Sequence, residues 1–272
     1  MANQDRITTA LLLAAGTGTR LQPLTDNAPK CLTLVQGIPI LERLVHSLQE
    51  HKFKRLVVVV GYMEDHIRAF LKEKAGGMQV DFITSPVYRT TNNIYSLWLA
   101  QKQIQEPFLL VESDLVFDAS MLEGMLQPDK IAVSRILPWM NGTTVTVDTN
   151  KQVTAFHAGG STSDALQYKT VNIYSLSLPT WKEVQKRLDS YISEGRVGEY
   201  YEAIFTEMVA DGTLHFEADF FNPDRWYEVD TLADLSEAEK MFSGIYHPGI
   251  KSSGHPLHAT RKELIAAVAQ NS

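Results

Sequence analysis

Residues 11–30 read Leu-Leu-Leu-Ala-Ala-Gly-Thr-Gly-Thr-Arg-Leu-Gln-Pro-Leu-Thr-Asp-Asn-Ala-Pro-Lys. An apolar strand runs straight into a loop that carries Gly16 and Gly18, then one arginine, Arg20, and ends at one lysine, Lys30. Glycines at a strand end let backbone N–H groups approach an anion without interference from a Cβ. The guanidinium and the ammonium add the positive charge that phosphoryl oxygens need. The stretch therefore reads as a polyphosphate site. Two common phosphate loops are excluded by spacing. No Lys-Ser/Thr pair follows the glycines as a Walker loop requires, and Leu21 stands where a dinucleotide-binding turn needs its third glycine.

Working outward, apolar strands alternate with helical spacing over the first half of the chain. The pattern predicts strands over Ile7–Ala15, Arg55–Gly61, Gln79–Thr84 and Phe108–Glu112, with helices over Ile38–Gln49, Glu64–Lys74 and Asn92–Ile104. The run Leu56-Val57-Val58-Val59-Val60 is apolar on both faces, as in a parallel sheet. Short strands separated by turn residues follow at 131–136, 143–148, 152–158 and 168–174. Beyond them come helices over 178–193 and 200–210, strands over 215–221 and 226–229, and a helix over 232–241. The expected fold class is α/β: a doubly wound, mostly parallel but mixed sheet, Rossmann-like, with helices on both faces. Residues 1–242 form the expected domain. Residues 243–272 read as a linker-like tail with a short helical pattern at Arg261–Val268, and both a tail packed on the domain and a linker to a further domain are left open.

Composition narrows the partners. The 272 residues carry a formal charge of −7, with 44% hydrophobic and 21% charged residues. That balance suits a globular enzyme and argues against nucleic acid or an anionic membrane as the main partner. No apolar run is long enough to span a bilayer, and the N-terminus lacks a signal-peptide layout, so a cytoplasmic location is expected. The single Cys31 has no internal disulfide partner and reads as a small buried side chain.

The ordered residues Leu13, Ala14, Ala15, Gly16, Gly18, Thr19, Arg20, Leu21, Pro23, Leu24, Thr25, Pro29 and Lys30 resemble the signature of the nucleotidyltransferase superfamily that includes the sugar-phosphate nucleotidyltransferases. The resemblance implies a Mg²⁺-dependent in-line transfer of a nucleotidyl group with release of pyrophosphate. It assigns nucleotide binding to Leu13, Ala14, Ala15, Gly16, Thr17, Gly18, Thr19, Arg20 and Lys30. It implies that Arg20 clamps the leaving phosphates, that Lys30 bridges the attacking and α-phosphates, and that Asp114 and Asp230 hold the metal. Asp114 closes the strand 108–112, at the edge where open α/β sheets place ligands. Asp230 also reads as a plausible N-cap for the helix that follows it.

Asn92-Asn93-Ile94-Tyr95-Ser96-Leu97, Tyr200-Tyr201-Glu202 and Tyr227-Glu228-Val229-Asp230 are similar to the branch of cytidylyltransferases that act on phosphocholine or 2-aminoethylphosphonate. That similarity implies CTP as donor and a small phosphorylated amine as acceptor, and it leaves phosphocholine, aminoethylphosphonate and phosphoserine-like acceptors open. An ammonium group asks for aromatic faces and a carboxylate. Asn93, Tyr95, Trp139, Lys169, Tyr201 and Glu202 are the expected acceptor-binding residues. The family's habits also suggest fusion to, or partnership with, a pyridoxal-phosphate enzyme domain. A sugar-1-phosphate nucleotidyltransferase and a catalytically silent nucleotide-binding scaffold are the competing readings.

Overall fold

A computed structural model describes residues 6–159 and 166–244, so the Arg261–Val268 pattern and nearly all of the linker-like tail lie outside the described residues. In chain order the strands are β1 (Thr9–Ala14), β2 (Leu34–Val35), β3 (Ile38–Pro39), β4 (Arg55–Val60), β5 (Gln79–Thr84), β6 (Phe108–Glu112), β7 (Leu115–Phe117), β8 (Lys130–Arg135), β9 (Thr144–Val147), β10 (Val153–His157), β11 (Gln167–Leu176), β12 (Glu217–Phe221) and β13 (Trp226–Glu228). The α-helices are α1 (Ile40–Glu50), α2 (Glu64–Lys74), α3 (Asn93–Ala100), α4 (Leu178–Ser193), α5 (Glu202–Ala210) and α6 (Leu232–Met241).

The central sheet is mixed, as expected. β5, β4, β1 and β6 are parallel neighbours in that order. β11 then pairs antiparallel to β6, and also to β8 and β9. β12 lies parallel to β8, and β10 closes the other edge against β9. β11 is ten residues long and outruns the five-residue β6. Its first residues, 167–169, pair with β9, while 173–176 pair with β6. The register against β8 shifts between Thr170 and Tyr174, around Asn172 at φ 60°. This irregularity falls beside the carboxyl end of β6, and bulges of this kind re-aim side chains next to sites.

Period-two alternation sorts the strand residues between two layers of helices. Leu11, Leu13, Val57, Val59 and Leu110 pack with Ile94 and Leu97 of α3, Trp181 and Val184 of α4, and Ile204 and Phe205 of α5. Leu12, Leu56, Val58, Leu109 and Val111 pack with Leu41, Leu44 and Leu48 of α1 and Ile67 and Leu71 of α2. Burying each such side chain contributes on the order of 1.5–3 kcal/mol. A third, smaller cluster joins α6 to the β2–β3 hairpin and to Leu21, Val116, Tyr227 and Val229.

Helix α4 starts where its sequence directs. Ser177 caps it by accepting from Thr180 N at 3.2 Å, with proline in the first turn. Its Trp181 is fully buried, packs edge-on against Phe108 and donates to Ile104 O at 3.2 Å. Ser177→Ala is expected to destabilise the fold by about 1 kcal/mol, read from the urea midpoint. Because Ser177 lines no part of the cleft, substrate KM values should not move.

Candidate active site

The glycine turn follows β1 at the carboxyl edge of the parallel strands. Gly18 sits at φ 65°, in the left-handed region. A Cβ there would lie 3.0 Å from Lys30 Cβ and 3.1 Å from Thr25 Cγ2, so glycine is needed for Lys30 to come close. Thr25 Oγ1 and Leu21 N both donate to Gly18 O at 2.9 Å and fix the turn. At Gly16 a Cβ would meet open space, the space of the cleft itself.

The two aspartates predicted to act together do meet. Asp114 sits in the two-residue turn between β6 and β7. β7 pairs antiparallel with β13, Leu115 opposite Glu228, and Val229 N donates to Asp114 O at 2.9 Å. Asp230 follows directly. Lys30 Nζ lies between them, donating to Asp114 Oδ2 at 2.6 Å and to Asp230 Oδ1 at 2.5 Å. Arg20 reaches the same Asp230 oxygen at 2.9 Å while its own side chain stays 64% exposed. Burial alone lowers the pKa of the Lys30 ammonium, but the two carboxylates outweigh it and hold the group above the ordinary lysine range. The two carboxylates thus favour the charged form of Lys30. Its neighbour Cys31 is buried, and loss of solvation pushes the thiol up to about 12, so Lys30 does not activate it.

Asp230 does not cap α6. Thr231 does, in a full capping box with Asp234: Thr231 N donates to Asp234 Oδ2 at 2.8 Å, and Asp234 N to Thr231 Oγ1 at 3.2 Å. The cap leaves the Asp230 carboxylate to the cleft. Asp114 Oδ1 is buried without a hydrogen-bond partner. An orphaned carboxylate oxygen beside a second carboxylate is a hard oxygen donor set, and it fits a magnesium ion that completes its shell with water and phosphate oxygens.

The cleft holds about 490 Å³. Leu13, Ala14, Ala15, Gly16, Gly18, Thr19, Arg20, Lys30, Asp114 and Asp230 line it. Thr17, expected among the nucleotide contacts, does not. The cleft also has an acidic part: Glu112, Glu202 and Glu228 line it together with Asn93, Lys169 and Asn172. Glu202 opens α5 and is 8% exposed, with Oε2 lacking any partner. Glu228 Oε2 stands 3.7 Å from Lys169 Nζ, and Asn172 Nδ2 donates to Glu228 Oε1 at 3.5 Å. Removal from water raises the Glu202 and Glu228 carboxyls to about 7, against the opposing pull of Lys169. Glu112 is raised well above the usual range, first by desolvation and then by Asp114, Glu202 and Glu228.

Three of the expected acceptor residues stand elsewhere. Trp139 stacks flat on Tyr227, centroids 4.0 Å apart at 12°, and tilts against Trp226 at 5.6 Å, outside the cleft lining. Tyr201 is fully buried among Tyr174 and Phe205, the core stripe that its four-residue spacing from Phe205 allows. Tyr95 packs on Trp98 at 5.3 Å. The aromatic rings that do line the cleft are Tyr88 and the 60% exposed Tyr200. Asn93, Lys169 and Glu202 lie at the cleft. Asn93 is spoken for by the protein: its Oδ1 accepts from Tyr201 N at 3.0 Å and its Nδ2 donates to Glu112 Oε1 at 3.0 Å.

Sequence reasoning gave no role to Glu228 or Asn172. A signal for Glu228 was present. Glu112-Ser113-Asp114 and Glu228-Val229-Asp230 repeat one Glu-x-Asp pattern, with each glutamate on the same strand face as its aspartate. Nothing local marks Asn172.

A glycine turn, an ammonium held between two carboxylates and a cleft at the carboxyl edge of a doubly wound sheet define a nucleotidyltransferase. The chain belongs to the MobA-like NTP transferase domain family, which it matches over residues 10–271. It is 30% identical over 249 residues to the CMP-5'-(3-aminopropyl)phosphonate synthase of Streptomyces rubellomurinus, a match that covers 86% of this chain but only 38% of that relative's length. It is 23% identical over 236 residues to the choline-phosphate cytidylyltransferase of Streptococcus pneumoniae, covering 85% of this chain and 97% of that one. The solved structure of the Streptococcus pneumoniae CTP:phosphocholine cytidylyltransferase superposes with a TM-score of 0.75 at 21% identity, over 87% of this chain and 99% of that one, a likeness of fold.

Asn93 holds the Glu112 carboxyl and the Tyr201 backbone N–H at once. Asn93→Ala is expected to cost about 1–3 kcal/mol of stability, because the Glu112 carboxyl and the Tyr201 N–H lose their partner. Urea denaturation of Asn93→Ala, Glu112→Gln and the double variant checks this. The two changes should be non-additive by at least 0.5 kcal/mol.

Proposed function

We propose that this chain transfers the cytidylyl group of CTP to a small phosphate or phosphonate that carries an amine, releasing pyrophosphate. The observation that carries this reading is that one cleft is lined both by the glycine turn with Lys30 and Arg20 and by three glutamates, Glu112, Glu202 and Glu228. The first set offers donors to a triphosphate, and the second suits a positively charged acceptor. CTP as donor rests on the relatives, whose names specify cytidylyl transfer to choline phosphate in one case and a CMP-linked aminopropylphosphonate in the other.

In this reaction an oxygen of the acceptor phosphate or phosphonate attacks the α-phosphorus. The bond from that phosphorus to the oxygen bridging it to the β-phosphate breaks, and pyrophosphate leaves. The protein aligns two polyanions and neutralises charge. Lys30, held as an ammonium, is placed to stabilise the oxygens around the reacting phosphorus and does not act as a base. Backbone N–H groups near Gly16 and Gly18 and the exposed Arg20 hold the leaving phosphates. A magnesium ion held by Asp114 and Asp230 would supply further neutralisation of phosphoryl charge when bound.

Pyrophosphate release with CTP, UTP, dTTP or GTP against amine phosphates, amine phosphonates and hexose 1-phosphates tests the assignment. Turnover with CTP and amine acceptors is expected. Turnover with hexose 1-phosphates alone would refute the acceptor class, and no turnover with any pair would refute the enzyme reading. Lys30→Met should lower kcat by on the order of 10²–10³, and near-wild-type turnover in this variant would overturn the role given to Lys30. Arg20→Ala, at an exposed position, should instead raise the KM for nucleotide by about tenfold or more.

A further inference from the structure

We infer that the acidic end of the cleft selects a primary ammonium, so that the acceptor is an aminoalkyl phosphate or phosphonate rather than a quaternary-ammonium or amino-acid phosphate. The inference rests on the cytidylyltransferase reading and settles a choice that the relatives leave open, since one acts on a choline ester and another makes an aminopropylphosphonate product.

The first argument is hydrogen bonding. Glu202 is 8% exposed, lines the cleft and has one carboxylate oxygen without any partner. A buried oxygen of this kind demands a donor, and leaving it unmade costs about 1–3 kcal/mol. A primary ammonium brings three N–H donors. A trimethylammonium brings none, and its bulk would cover the oxygen and keep water from it as well. The Glu112 and Glu228 carboxyls line the same chamber, so further donors of a primary ammonium also face acceptors.

The second argument is the missing box. A quaternary ammonium is held by ring faces on several sides. Here Trp139 is stacked on Tyr227 outside the lining, and Tyr201 is buried in the core. Of the two tyrosines that line the cleft, Tyr200 is 60% exposed and flanks the solvent side without enclosing a ligand.

The third argument is charge. Glu112, Glu202 and Glu228 face one buried cation, Lys169, which contacts Glu228 and donates to Thr170 O at 2.6 Å. Burial disfavours the ionised form of Glu202, and an ammonium bound beside it favours that form. A phosphoserine-like acceptor would place its own carboxylate among these glutamates, where like charges repel.

A matched acceptor series tests the inference with CTP as donor: phosphoethanolamine, its mono- and dimethyl derivatives, phosphocholine, 2-aminoethylphosphonate and phosphoserine. We expect kcat/KM to fall with each added methyl group, to be at least tenfold lower for phosphocholine than for phosphoethanolamine, and to be lowest for phosphoserine. Comparing phosphoethanolamine with 2-aminoethylphosphonate separates a bridging oxygen from a methylene, with the same ammonium in both. Glu202→Gln is nearly isosteric. It should raise the acceptor KM at least tenfold for the primary amines, leave the CTP KM within about twofold, and shrink the discrimination against phosphocholine. Equal or better use of phosphocholine or phosphoserine overturns the inference while the cytidylyltransferase reading stands. So does an equal loss on every acceptor in Glu202→Gln. Turnover with hexose 1-phosphates and none with amines would sink both.

Discussion

One ammonium held between two carboxylates organises this molecule. Lys30 reaches Asp114 and Asp230, which lie 84 and 200 residues further along the chain. Much of the surrounding architecture serves that meeting. Gly18 is left-handed and has no side chain to press on Lys30 Cβ. The short β7–β13 pairing aligns the turn after β6 with the end of β13, and Val229 N locks it to Asp114 O. Thr231 caps α6 and releases Asp230 from that duty. A partly buried pair of acids without a cation would be costly, and so would a buried lysine without acids. Together they are stable and charged, ready to act on phosphoryl groups.

The legible parts of the fold were those whose physics is local. β5, β6, α2, α4 and α6 have the predicted bounds, because apolar periodicity and caps decide them within a few residues. The β2–β3 hairpin and β7 escaped notice. Strands of two or three residues carry no period, and pairing with distant partners creates them. The same division holds in the cleft. Asp114 and Asp230 were readable as the ends of apolar strands. Trp139, just after a strand, and Tyr201, beside Glu202, were expected at the acceptor because an aromatic residue in such a place reads alike whether it faces a ligand or a core. What settled them was Tyr227 stacking on Trp139, and Tyr174 and Phe205 enclosing Tyr201. Asn172 had no sequence signal at all, since its left-handed conformation follows from the register shift in β11.

The irregularity in β11 also explains how one short sheet edge hosts two opposed electrostatic environments. A regular β11 would continue the pleat beside the end of β6, without the bend around Asn172. The register shift brings Asn172 into the cleft, where it donates to Glu228, while Lys169, three residues earlier, lies against the other oxygen of the same carboxylate. Glu112, at the end of β6, is held from the opposite side by Asn93. The glutamates are thus fixed by neutral amides and a single lysine, and burial raises all three carboxyls. Two residues beyond Glu112 and Glu228, past each strand end, an aspartate pairs with Lys30. The Glu-x-Asp repeat therefore sets a glutamate and a Lys30-bound aspartate close together at the ends of both β6 and β13. A ligand that meets both Lys30 and Arg20 on one side and the glutamates on the other carries a phosphoryl group at one end and an ammonium at the other. An aminoalkyl phosphate or phosphonate is such a molecule.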